Sequence, residues 1–284
     1  MTPEWAQLEF TGPQWVDYAA QLNHLNNTVF AGNDFPDAVD LQNLLPKPVL
    51  TQSGLPVRFV SSGDIPTVAY EEHIHRTGEI STRPNNWHDL FNALVWSRFP
   101  GIKAAMNAVH CEEIIKQPGP ERGAHRDALT LFDECGVVVA SQNKTLLSAL
   151  AARNWRQAFQ SLAHCWQHRT CVFICGHALL EKFLSPYKAM TAQALLFRLD
   201  DTQAELTRKE LMASVDTGLA QAILAGALLQ SSRELSPLPL AGIPGWWTES
   251  PQNDSFYADP QVFRPPADDF QAAPIVQRFV TVSL

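Results

Sequence analysis

Apolar residues fall along this chain in two rhythms, one returning every three or four positions and one packed into short unbroken runs. From Trp87 to Phe99 the rhythm is helical: Leu90, Phe91, Leu94 and Val95 gather on one arc, and Pro100-Gly101 closes the segment. Ile102 to Ile115 repeats the pattern and stops at Pro118-Gly119-Pro120. Val68 to Arg76 predicts another helix, closed at Gly78, and Thr145 to Ala152, Trp155 to Gln167 and Thr202 to Leu229 predict more. Leu55 to Val60 and Ala194 to Leu199 predict strands, and Thr170-Cys171-Val172-Phe173-Ile174-Cys175, apolar almost throughout, predicts a buried central strand. Ala128 to Ala140 holds two β-rich runs around the acidic pair Asp133-Glu134 and Gly136, which predicts a β-hairpin. The Pro- and Trp-rich tail from Ser236 ends on a strand-like run from Val276 to Val282.

Helices and strands mix without strict alternation. That pattern predicts an α+β fold with a small mixed β-sheet packed by several helices. One domain spanning 1–284 is expected, with 1–48 and 236–284 as wrapping segments.

Composition narrows the picture. At 284 residues, 45% hydrophobic and 18% charged, the chain can bury a substantial core. Its net charge of −8 argues against nucleic acid and anionic membrane as partners. The most apolar helix-like stretch, Leu219 to Leu229, is too short to span a bilayer. The segment after Met1 lacks the pattern of a secretion signal. Five cysteines without framework spacing then imply reduced thiols, and the expected location is cytoplasmic.

Candidate chemistry concentrates on two helices of the same format. At about 100° per residue, His88, Asp89 and Asn92 lie off the apolar arc of the first helix. In Gly176-His177-Ala178-Leu179-Leu180-Glu181-Lys182, His177 and Glu181 lie one turn apart at the edge of the apolar arc. Should the two faces converge, His88, Asp89, His177 and Glu181 form a set of metal ligands or bases, with Asn92 positioning water or substrate. The structural alternative is simple. Asn86 is a natural N-cap, Asp89 suits the first-turn amides and His88 is then simply solvated, while Gly176-His177 only begins a helix and Glu181 pairs with Lys182 or Arg198.

Other segments carry weaker signals. Arg122 and Arg126 can clamp an anion or phosphate, or belong to a solvated loop with a structural Arg–Asp contact. Asp133-Glu134 can supply carboxylate ligands or plain turn chemistry. His164 and His168, four apart with Cys171 beyond, have zinc-like spacing but no second cysteine pair. No Gly-rich phosphate loop, Gly-x-Ser-x-Gly elbow or His-Glu-x-x-His helix occurs. Glu72-His73-Ile74-His75 followed by Asn92 is faintly similar to the His–Asn order of ββα-metal nucleases, although residues 68–76 read as helix. His88-Asp89 matches the dipeptide of HD phosphohydrolases but not the rest of their pattern.

Three blocks taken together carry a broader resemblance. They are Thr82 to Trp96 with Phe99-Pro100, Lys103 and Asn107; Arg126 to Glu134; and Gly176 to Lys182. Over about residues 50 to 200 the chain resembles a bacterial family catalogued as a domain of unknown function. The resemblance implies a bacterial cytosolic protein and supplies no activity, cofactor or site.

The expectation is therefore a metal-dependent hydrolase acting on a phosphorylated or anionic small substrate, with Zn, Mn or Mg as the ion. A non-catalytic binding or scaffold protein, docking through its Trp- and Pro-rich tail, is the alternative, with a ββα-metal nuclease behind it. Metal-free acid–base chemistry at the same residues also stays open.

Overall fold

The computed structural model describes residues 10–32, 34–45, 47–62, 70–117, 123–167, 170–268 and 270–277. Two helices come first, α1 (Ala19–Thr28) and α2 (Ala38–Asn43). Strand β1 (Arg58–Ser61), helix α3 (Tyr70–Thr77) and strand β2 (Glu79–Thr82) follow. Three long helices succeed one another: α4 (Trp87–Arg98), α5 (Pro100–Lys116) and α6 (Ala124–Cys135). The middle of the chain gives β3 (Gly136–Ser141), α7 (Lys144–Ala151), α8 (Ala163–Gln167), β4 (Thr170–Ile174), α9 (His177–Lys182) and β5 (Thr191–Arg198). The last part gives α10 (Asp201–Ala204), α11 (Arg208–Leu224), β6 (Ser236–Pro239), α12 (Asp254–Tyr257) and β7 (Ile275–Val276). This is an α+β fold with a small mixed sheet.

The main sheet runs β4-β3-β5-β6, with the short β7 beside β5. Strand β3 is parallel to β5 and antiparallel to β4. All six residues of β3 are buried, and β3 lies inside the sheet between β4 and β5. The expected central strand, β4, lies at the edge. It stays apolar because its outer backbone is covered: Tyr18 Oη donates to the carbonyl of Ile174, and Arg208 Nη2 donates to that of Val172 at 2.8 Å. Covering an edge this way removes its unpaired hydrogen-bonding groups. Strands β1 and β2 form a separate parallel pair joined through α3.

The predicted hairpin over 128–140 is wrong. Residues 124–135 form a helix that runs directly into β3. Ala128, Leu129 and Phe132 are its buried positions, a helical spacing that outweighs the β-rich composition. Gly136 is the joint between helix and strand, where a side chain would strike the carbonyl of Phe132. The long helical stretch over 202–229 divides at Thr207, which caps α11 reciprocally with Glu210. The segment 155–167 is a wide π turn, Gln157–Ser161, followed by the short α8.

Buried side chains from α1 and α2 through the tail belong to one continuous hydrophobic cluster. Trp246 of the tail meets Phe183 edge-on, 6.2 Å between centroids. Helix α5 starts on Pro100, and Asp216 of α11 accepts the free amides of Gly101 and Ile102 at 3.0 and 2.8 Å. Helix α4 is buried almost all round, including Asn92, Trp96 and Ser97. Its partly exposed residues are therefore confined to its two ends, His88 and Asp89 at the start and Arg98 at the close, and form no stripe. Among the described residues no helix is long and apolar enough to cross a membrane.

Candidate metal centre

The sheet decides which helix ends meet. Because β3 and β4 are antiparallel, the beginning of β3 lies beside the end of β4. The helix entering β3 and the helix leaving β4 must then touch at that corner. Cys175 and Gly176 both donate their amides to the carbonyl of Gly136, at 2.9 and 2.8 Å. A side chain at position 176 would come within 2.5 Å of the Gly136 nitrogen and 2.6 Å of the Glu134 carbonyl. Glycine at 176 allows this approach, and His177 is delivered next to Asp133 and Glu134.

Helix α4 brings the second imidazole. Asn86 caps it, accepting the Asp89 amide at 3.0 Å, and His88 lies in its first turn. The Nε2 atoms of His88 and His177 are 3.1 Å apart, with the rings edge to face at 87°. The Glu134 carboxylate is 3.7 Å from His88 Nε2 and 3.9 Å from His177 Nε2. These three residues offer ligand atoms within 4.8 Å of one another, a grouping able to hold a metal ion.

Each imidazole has a carboxylate behind it. Asp89 Oδ1 is 3.6 Å from His88 Nδ1, and Asp133 Oδ2 is 3.7 Å from His177 Nδ1. Each of those carboxylates has its own cation. Arg83 holds Asp89 with its backbone amide at 2.7 Å, its Nε at 3.0 Å and its Nη2 at 2.7 Å. The buried Lys103 donates to Asp133 Oδ1 at 2.6 Å. Cation, carboxylate and imidazole are thus repeated twice, on helices from different parts of the chain.

The two imidazoles differ in charge preference. Pairing with Asp89 and Glu134 raises His88 to about 9, outweighing its partial burial. Burial lowers His177 to about 4, despite the nearby Asp133. Burial opposes ionisation of Asp89, yet His88 and Arg83 hold its carboxyl well below the usual range. Asp133 is also lowered: burial works against its charge, and Lys103 and His177 overcome it. Glu134 is lowered chiefly by His88.

A divalent ion fits this set. Two nitrogens each about 2.0–2.1 Å from one tetrahedral ion lie about 3.3 Å from each other, close to the spacing here. Two imidazoles and one carboxylate leave a fourth position for water. His177 Nδ1 is buried and has no hydrogen-bond partner among the described residues. Coordination at Nε2 would leave the proton on Nδ1, which faces Asp133 Oδ2 at 3.7 Å.

The sequence-predicted residues divide. His88 and His177 meet. Asp89 stands at the far nitrogen of His88, held by Arg83. Glu181 is outside the three-residue grouping, but its charge acts on His88 and Arg83. Asn92 donates to Tyr70 Oη at 3.2 Å and its Oδ1 is buried without a partner. Arg126 lies in α6, two turns before Glu134, with its Nε buried and unpartnered. Arg122 lies outside the described residues. His164 Nε2 is 3.3 Å from Cys165 Sγ, and His168 lies outside the described residues. His73 is on helix α3 and pairs with Glu79 at 3.3 Å.

The sequence alone suggests a hairpin turn for Asp133 and Glu134, as carboxylate ligands or as turn residues, whereas both lie in α6. The helical spacing of Ala128, Leu129 and Phe132 is the signal that places them one turn beyond a buried stripe. Lys103 enters the sequence reading only through the family resemblance, and as one lysine inside an apolar helix it gives no sign of pairing with Asp133.

The sequence profile of one family, DUF3025, described as a protein of unknown function, matches residues 57–267. The match covers α4, α6 and α9 entirely. No curated protein and no solved structure matches the chain.

Proposed function

This chain belongs to the family DUF3025, and we propose that it is a metal-dependent hydrolase of small phosphorylated or otherwise anionic substrates. One observation carries the reading. Two imidazoles from distant segments present Nε2 atoms 3.1 Å apart beside Glu134, and each turns its Nδ1 toward a separately anchored carboxylate. Carboxylates behind ligating histidines orient the ring and strengthen it as a donor. Solvated surface histidines have no use for a buried lysine–aspartate pair behind them.

Zinc is the ion the donor set favours, with manganese and magnesium as rivals that prefer more oxygen. A bound ion lowers the pKa of its water toward neutrality and supplies a nucleophile. His88 and Glu134 are each more than one-third exposed, so the open coordination position faces a reachable surface. Arg83, more than half exposed, stands beside His88 through Asp89 and offers a positive group to an anion bound on the ion.

A second reading rests on the same pair without an ion. At 3.1 Å a protonated His88 donates to neutral His177, a poised acid–base couple. Hydrolysis assays separate the two. Untagged, chelator-treated protein is tested on a phosphoester panel with and without Zn²⁺, Mn²⁺ or Mg²⁺. The metal reading expects turnover only after ion addition and a loss of at least about 100-fold in His88→Ala and His177→Ala. Undiminished turnover in chelator transfers the site to acid–base chemistry, and no turnover with any ion across the panel counts against a hydrolase.

A further inference from the structure

A second polar feature lies at the β6–β7 side of the sheet, on other elements than the histidine pair. It is a cavity of about 510 Å³ lined by Arg153, Ser232, Arg233, Leu235, Phe270 and Gln271, among others. That volume is within the range of sites for small organic ligands. We propose that this cavity binds an organic phosphate monoester, with the phosphate between Arg153 and Arg233 and the organic part against Phe270 and Leu235.

The charges point first. Arg153 comes from the end of α7 and Arg233 from the short turn before β6. Neither forms an ion pair with a described carboxylate. Glu234, the acid nearest in sequence, is spent on the backbone amides of Leu229, Gln230 and Ser231. In a chain of net charge −8, two guanidinium groups on one cavity, neither paired with a described carboxylate, favour an anion there. A phosphate monoester carries close to two negative charges at neutral pH, and arginine forks match its oxygens.

The side-chain arrangement agrees. The Arg153 guanidinium stacks over Phe270 at 4.5 Å from its centroid, which holds its plane in place. Its Nε is buried and has no hydrogen-bond partner among the described residues. Ser232 and Gln271 add neutral polar groups to the lining. Leu235, Phe270 and Ala273 give it an apolar wall, which inorganic phosphate alone would not use.

Arg153 also occupies an unusual backbone position. Its φ is +54°, just past the end of α7, where glycine is the ordinary occupant. Arg153→Gly should therefore keep the fold while removing the guanidinium. This separates a binding role from a structural one.

The test uses full-length, chelator-treated protein titrated calorimetrically with phenyl phosphate and with inorganic phosphate. Phenyl phosphate is expected to bind in the micromolar-to-millimolar range and more tightly than inorganic phosphate. Arg153→Gly and Arg233→Gln should each weaken it at least tenfold with unfolding temperatures close to wild type. A His88→Ala/His177→Ala double variant should bind as wild type does, which keeps this site independent of the hydrolase reading. Absence of phenyl phosphate binding at millimolar concentration overturns the proposal. So does binding that survives both arginine substitutions, or that disappears in the histidine variant.

Discussion

The two halves of the histidine pair use one plan in opposite surroundings. On the α4 side, Arg83, Asp89 and His88 lie near solvent: the arginine side chain is 57% exposed and the imidazole 35%. On the α6–α9 side, Lys103, Asp133 and His177 lie inside, with lysine at 7% and imidazole at 5%. Water reaches the first chain, so the desolvation penalty on His88 is smaller than the pull of Asp89 and Glu134, and His88 keeps its proton. The second chain is desolvated, and burial wins at His177 even with Asp133 beside it. A centre built this way has one fixed, neutral donor and one adjustable donor that must give up a proton to bind an ion.

The largest expected effect is in stability. Removing one partner of a buried pair leaves the other charge uncompensated, at a cost of about 3–5 kcal/mol, whereas exposed pairs contribute about 0–1 kcal/mol. Urea unfolding of Lys103→Met should show a loss in the first range, and Arg83→Met one in the second. Equal losses would erase the distinction between the halves.

A smaller effect sharpens the same contrast through pH. In the metal-free protein His88 is protonated up to about pH 9, while His177, lowered to about 4, is already neutral at pH 6. Metal binding near pH 7 must therefore displace one proton, from His88. Affinity should rise about tenfold per pH unit from 6 toward 9 and then flatten. Calorimetry in two buffers of different ionisation enthalpy reads the proton count directly. Release of none would mean that His88 is not a ligand, and release of two at pH 6, below the range in which a metal-bound water ionises, would mean that the buried imidazole is not held neutral.

What the chain disclosed in advance follows from how local each feature is. Asn86 and Gly176, each just before a histidine and an apolar helical arc, are local signals, and both begin helices as read. Convergence of His88 and His177 is not local. It depends on the β3–β4 pairing and on the contact between Gly136 and Gly176, which no spacing in the sequence announces. Glu134 was visible as a carboxylate, but its direction depends on whether residues 124–135 are helix or hairpin. The valines of β3 pulled that reading toward strand. Lys103 with Asp133, thirty positions apart, is a tertiary choice altogether.

The most direct measurement is X-ray absorption at the zinc edge of stoichiometrically loaded, untagged protein. The geometry predicts one ion per chain in a shell of nitrogen and oxygen at about 2.0–2.2 Å. Scattering from two imidazoles should be present, falling to one in His88→Ala. An ion bound without imidazole scattering, or a protein that takes up less than one ion under saturating zinc, would contradict the assignment of His88, His177 and Glu134 as a metal centre.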